Sequence, residues 1–171
     1  MDKLSTKVLP LSTDERKRLL AYWEAMEDAL PTVRRLTSLT SELRMHSDAS
    51  GINTMILFYR GISEVSYGHS GSRGGIRRAY NGQYSELVKQ NMVMCFGGYY
   101  FFAQDSKALI DYIEKQVKGE AALKIVRRIK VTLAENDAHL KKAEKKLIEF
   151  FGVKEYQKIQ MDNMDSMMLI R

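Results

Sequence analysis

The sequence predicts an α+β protein in which a helical hairpin precedes a core of strands and helices. Three observations carry that expectation. A helix-start signature stands ahead of an apolar stripe in the first fifty residues, a dense apolar run from Met55 to Tyr59 is closed by a glycine, and β-branched residues alternate within 123–133. At 171 residues the chain is the size of one domain, because a single core of that length can bury roughly two-thirds of the surface. We read residues 1–171 as that domain, with the hairpin at 1–50 and the core at 51–171.

Ser12 and Glu15 have the spacing of a capping box, in which hydroxyl and carboxylate each satisfy a free backbone amide. A helix is expected from Thr13 to Leu30, with Leu19, Tyr22 or Trp23, Met26 and Leu30 on one face. Pro31 is read as opening a second helix, since a first turn has no use for the missing N–H, and Val33, Leu36 and Leu43 continue its stripe. "HSDASG" ends the hairpin.

The run "MILFY" suits a buried strand ending at Arg60-Gly61. "SYGHSGSRGGIRRAYNG" reads as a long Gly/Ser-rich loop, unusual in a compact domain and therefore functional or mobile. "QYSELVKQNMVM" can form a short helix. In "FGGYYFFAQDSKALIDYI" the aromatics Tyr99 to Phe102 read as a strand, and Ser106 as the cap of a helix from Lys107 to about Val117. The segment 123–133 can be helical or extended, and its β-branched density favours a strand. A helix at 138–151 follows, with Asn136 and Asp137 as break and cap and Gly152 as its C-terminal stop. The end, from Lys154 on, reads as one or two short strands, and core packing is the expected role of Met161, Met164, Met167 and Met168.

Composition narrows the function classes. No apolar run approaches the ~20 residues that cross a bilayer, so no membrane insertion is expected. The beginning of the chain has no signal-like apolar core, and Cys95, the sole cysteine, cannot form an internal disulfide. Both fit a cytoplasmic protein, in its own cell or in a host cell. No CxxC or paired-histidine spacing suggests a metal site. The net charge of +6 is mostly mixed: residues 1–50 carry 8 basic and 8 acidic side chains, 51–103 carry 5 and 2, and 104–171 carry 14 and 11. Only "SRGGIRRAY" is basic without nearby acids, a local anion-binding signal.

Tyr59-Arg60-Gly61 followed about forty residues later by Gly98, Tyr100 or Phe101, Phe102, Ala103, Ser106-Lys107 and Tyr112 resembles the ADP-ribosyltransferase superfamily. The former matches the aromatic-Arg-Gly of its arginine-type members, and the latter the second block of its polymerase-like members. Glu155-Tyr156 resembles the start of the family's catalytic strand, and "MMLIR" its last strand. The resemblance covers residues 55–171 and implies a split antiparallel sheet, NAD as cofactor and a macromolecular acceptor, protein or nucleic acid. It departs from the family in lacking Ser-Thr-Ser after the first motif, in having Arg60 where polymerase-like members have histidine, and in having Val153 where a first glutamate of Glu-x-Glu would stand.

Under that resemblance Glu155 stabilises the positive charge that develops as the nicotinamide–ribose bond breaks, and Arg60 holds the NAD diphosphate or ribose. Gly61, Gly97, Gly98, Tyr99, Tyr100, Phe101 and Ser106 would line the cofactor site. His69, Arg73, Arg77 and Arg78 would meet the acceptor. Each has a plainer reading, as a surface ion pair, a core strand or a solvated loop. The reading from another class is a non-enzymatic, mainly helical module that binds nucleic acid or a partner protein through Arg73, Arg77, Arg78 and the basic residues of 124–130. The two diverge on 120–150: a strand supports the transferase, one continuous helix the module.

Overall fold

The computed structural model describes residues 4–169, with side chains as far as residue 164. Every regular element among them is helical, so the α+β expectation and its split sheet are overturned. The capping box forms as read: Ser12 Oγ accepts from the Glu15 amide and the Glu15 carboxylate accepts from the Ser12 amide, both at 3.1 Å. α1 (Thr13–His46) then continues through Pro31, and the expected hairpin is one helix. An interior proline costs roughly 3 kcal/mol, but Leu19, Tyr22, Met26, Val33, Leu36 and Leu43 form one unbroken buried face across it. That burial outweighs the lost hydrogen bond.

The strand expected at 55–61 is α2 (Ile52–Ile62). Its buried residues Ile52, Met55, Ile56, Tyr59 and Ile62 recur every three or four positions, while Leu57 and Arg60 face solvent. The loop expected after it is mostly helical: a π-turn at 63–67, a bend at 68–71, α3 (Ser72–Arg78) and a second π-turn at 79–83. Ser85 caps α4 (Glu86–Gln116), which absorbs the aromatic run. The strand expected at 123–133 and the break at Asn136 both lie inside α5 (Glu120–Phe151). Val131, a supposed inward member of the alternation, is 61% exposed, whereas Ile125, Val126, Ile129 and Leu133 follow helical spacing into the core. Gly152, at φ 85°, ends α5, and α6 (Val153–Leu169) replaces the expected terminal strands. Met161 and Met164 are exposed there rather than packed. The side chains of Met167 and Met168, and the last two residues of "MMLIR", lie outside the described residues.

Four legs form an up-down-up-down bundle. The second leg, 52–83, runs antiparallel to α1: Tyr67 Oη donates to the Met26 carbonyl (2.8 Å), and Tyr22 Oη shares a hydrogen bond with Ser72 Oγ (3.0 Å). It also runs antiparallel to α4, since Gly51 lies against Leu109, Gly61 against Phe102 and Gly75 against Met92. α5 closes the ring antiparallel to both neighbours, through Arg35–Glu135 and Thr32–Asn136 on one side and Lys130–Glu114 and Lys107–Asp137 on the other. At the centre, buried Asn136 Oδ1 accepts from both Thr32 and Tyr99. The supposed helix break is thus a polar tie between three legs. The extended residues before α1 run along the start of α4, with Leu9 N donating to the Tyr84 carbonyl and Leu87 N to that of Ser5.

Candidate nucleic-acid interface

The second leg turns a set of arginines outward near the capped end of α1. The Arg73 and Arg77 guanidinium carbons sit 5.5 and 5.8 Å from the centroid of the Trp23 ring, and that of Arg16 sits 5.7 Å from the Tyr80 ring. A weakly hydrated, planar guanidinium is attracted by the face of an aromatic ring and still offers its N–H edge to an anion. Leu20, Trp23, Ile76, Arg77, Tyr80 and Asn81 line a groove of about 440 Å³ with no acidic side chain in its wall. Glu27 is the nearby exception: Arg73 Nε lies 3.2 Å from its Oε1, but out of line for a hydrogen bond, so that buried N–H has no acceptor. Tyr80 is 41% exposed and Trp23 is partly buried at the rim.

What places these groups is local. Tyr22, beside Trp23 on α1, turns into the core, where burial pushes its hydroxyl well above the usual phenol range even though the Ser72 hydrogen bond opposes the shift. Tyr22 therefore anchors the start of α3 as a neutral group, which leaves Trp23 to meet Arg73 and Arg77 one helical turn apart.

The other basic cluster is largely neutralised. Arg127 pairs with Glu120, Lys130 with Asp111 and Glu114, and Arg35 with Glu135. That leaves Lys124 and Arg128 in the shallow hollow beside them.

The residues expected to hold NAD are not brought together. Arg60 is exposed on α2, next to the Gly61–Phe102 contact, whereas Glu155 in the first turn of α6 pairs with Lys89 at 3.3 Å. From Lys89 to Phe102, α4 rises roughly 20 Å. Tyr99 is fully buried and bonded to Asn136, while Tyr100 and Phe101 are 44% and 59% exposed. These aromatics point around a helix rather than lining a wall. Gly98 packs on Val65, and Gly97 faces open space. Ser106, expected as a cap, is buried in mid-helix with its hydroxyl donated to the Phe102 carbonyl at 2.8 Å. His69 is exposed in the bend before α3. Cys95 is partly buried, and burial raises its thiol pKa despite the opposing charge of Arg78, which disfavours the thiolate that a nucleophile needs.

Of the expected acceptor-contacting residues, Arg77 lines the groove and Arg73 packs over its Trp23 wall. Arg78 lines a different opening. Trp23, Tyr80 and Arg16 were missed. Trp23 shared a stripe position with Tyr22, and only the buried hydroxyl contact of Tyr22 decides which of the two turns inward. No protein-family model matches the chain, and neither a curated protein nor a solved structure matches it.

Proposed function

We propose that the chain is a non-enzymatic helical module that binds single-stranded nucleic acid on the Arg73–Arg77–Trp23–Tyr80 surface. The observation that carries this reading is Arg77 held over Trp23 beside an exposed Tyr80 in a groove whose lining has no acid, with Arg73, paired with Glu27, over the same ring. Arginine edges suit phosphates, an exposed aromatic face suits a base of any sequence, and single-strand binders combine these two features. Continuity of α5 through 120–151 supports the module over the transferase. The separation of Arg60 from Glu155 weighs the same way.

Trp23 is the sole tryptophan, so its fluorescence reports this groove directly. Titration with a short oligothymidine should quench it saturably, with affinity falling steeply as salt rises. Replacing both Arg73 and Arg77 with alanine should weaken binding by about tenfold or more. A flat salt response, or unchanged affinity in the double variant, sinks the proposal. The competing reading is tested in the same preparation: transfer of labelled ADP-ribose from NAD, abolished by Glu155→Ala, would restore the enzyme.

A further inference from the structure

A second opening lies on another side of α3. Adjacent helical residues project about 100° apart, so Arg77 joins the Trp23 groove while Arg78 turns into a cleft of about 550 Å³ between residues 6–8 and the start of α4. Arg78 is partly buried, its Nε is shut off from solvent without a hydrogen-bond partner, and no carboxylate among the described residues pairs with it. None of the lining residues is acidic.

Around this charge stand neutral hydrogen-bonding groups. Asn91 uses its Oδ1 toward Cys95, which leaves its Nδ2 for another acceptor. The Ser85 hydroxyl accepts from the Val88 amide and keeps its own proton to donate, and Gln83 adds an amide. The Gln90 side-chain nitrogen is already donated to Asn163 at 2.7 Å, which fixes that wall to α6. Leu87 N is taken by the Ser5 carbonyl, so Arg78 rather than the free end of α4 supplies the main attraction. Val8, Leu87 and Met94, each about half exposed, form an apolar border.

A partly desolvated guanidinium with several neutral donors matches the oxygens of a phosphate, and an apolar border of this kind suits an organic substituent on it. We propose that the cleft lined by Arg78, Gln83, Ser85 and Asn91 binds a small organic phosphate monoester. The site is independent of the nucleic-acid groove, since none of its lining residues is shared with it.

Phenyl phosphate is a suitable probe, followed by amide chemical shifts of the full chain. Saturable shifts should centre on residues 83–91, Arg78→Gln should weaken binding by about tenfold or more, and Arg77→Gln should leave it unchanged. Phenol, which lacks the phosphate, should bind far more weakly. Should Arg78→Gln fail to fold, Val8→Trp places bulk in the cleft from an exposed position and should block binding equally. No saturable shift, equal affinity for phenol, shifts centred on the Trp23 groove, or binding that survives both Arg78→Gln and Val8→Trp each overturn the proposal.

Discussion

The second leg, 52–83, and α5 occupy corresponding places in the bundle, each antiparallel to α1 and α4, but they are built in opposite ways. α5 is one helix whose buried residues recur from Ala122 to Phe150 and whose polar groups are tied across to its neighbours. The second leg is broken by two π-turns and a bend. The π-turn at 63–67 inserts a residue into the helical repeat ahead of α3, whereas the turn at 79–83 leaves helical geometry at Asn81 and Gly82 and ends the leg. In the regular leg Lys130, Glu135 and Asp137 are tied to neighbouring helices by ion pairs. In the irregular leg Arg73, which also pairs with Glu27, and Arg77 lie over the Trp23 ring, and Arg78 turns into a cleft. Binding chemistry therefore gathers where the helix is interrupted, as irregular segments held by a rigid scaffold allow.

The largest break in this comparison should come from a single methyl group. A Cβ on Gly74 would lie 1.9 Å from the His69 carbonyl oxygen, a backbone atom that cannot swing aside. Gly74→Ala should displace the bend or α3 and cost about 3 kcal/mol, with loss of oligonucleotide binding. Gly97, in the regular helix α4, meets nothing within 4 Å, so Gly97→Ala should stabilise by about 1 kcal/mol through helix propensity. Urea denaturation measures both. A neutral Gly74→Ala would show that the interrupted leg tolerates regularisation and that its shape is not fixed by this contact.

A smaller effect separates two buried tyrosines. Tyr99 donates to Asn136 on α5, and Tyr99→Phe should cost about 1–2 kcal/mol because it leaves that buried acceptor one donor short. Tyr59, on the second leg, has no hydrogen bond for its buried hydroxyl. The Ser106 and Thr40 hydroxyls stand near it but donate to the Phe102 and Leu36 carbonyls of their own helices, and neither oxygen is in hydrogen-bond geometry with the phenol. Tyr59→Phe should therefore stay within about 0.5 kcal/mol of the parent. Equal losses in the two variants would mean that Tyr59 has a partner in solution.

Much of α1 was legible, because capping box and apolar face are both local signals. The strands were misread for one physical reason. Short apolar runs such as 55–59 and 125–133 fit either period until it is known which members face solvent, and exposed Leu57 and Val131 answer that only in the folded bundle. Pro31 and Asn136 looked like boundaries because their local preferences favour breaks. Packing against α5 overrode the first, and hydrogen bonds from two other helices gave the second a place in the core. Arg73 and Arg77 were legible as a basic segment. Trp23, some fifty residues earlier in the chain, joins them only through the antiparallel pairing of α1 with the second leg.

The smallest effect tests how α5 is held. Burial of Asp137 acts to raise its pKa, but hydrogen bonds from Lys107, Lys141 and Gln104 outweigh burial and hold the carboxyl below its ordinary value. A carboxylate whose pKa is lower in the folded state stabilises fully above its unfolded value, near ~3.9, and loses that contribution as pH falls through the folded value. Asp137→Asn should therefore cost up to about 1 kcal/mol at neutral pH, a gap that narrows below about pH 4 and closes once the parent carboxylate is protonated. Hydrogen exchange adds the spatial half of the test. Protection should fall around residue 137 of α5 and the facing turn of α4, while the second leg keeps its own. A loss shared by the second leg would mean that the regular and interrupted legs open as one unit, with the irregular leg drawing its stability from α5.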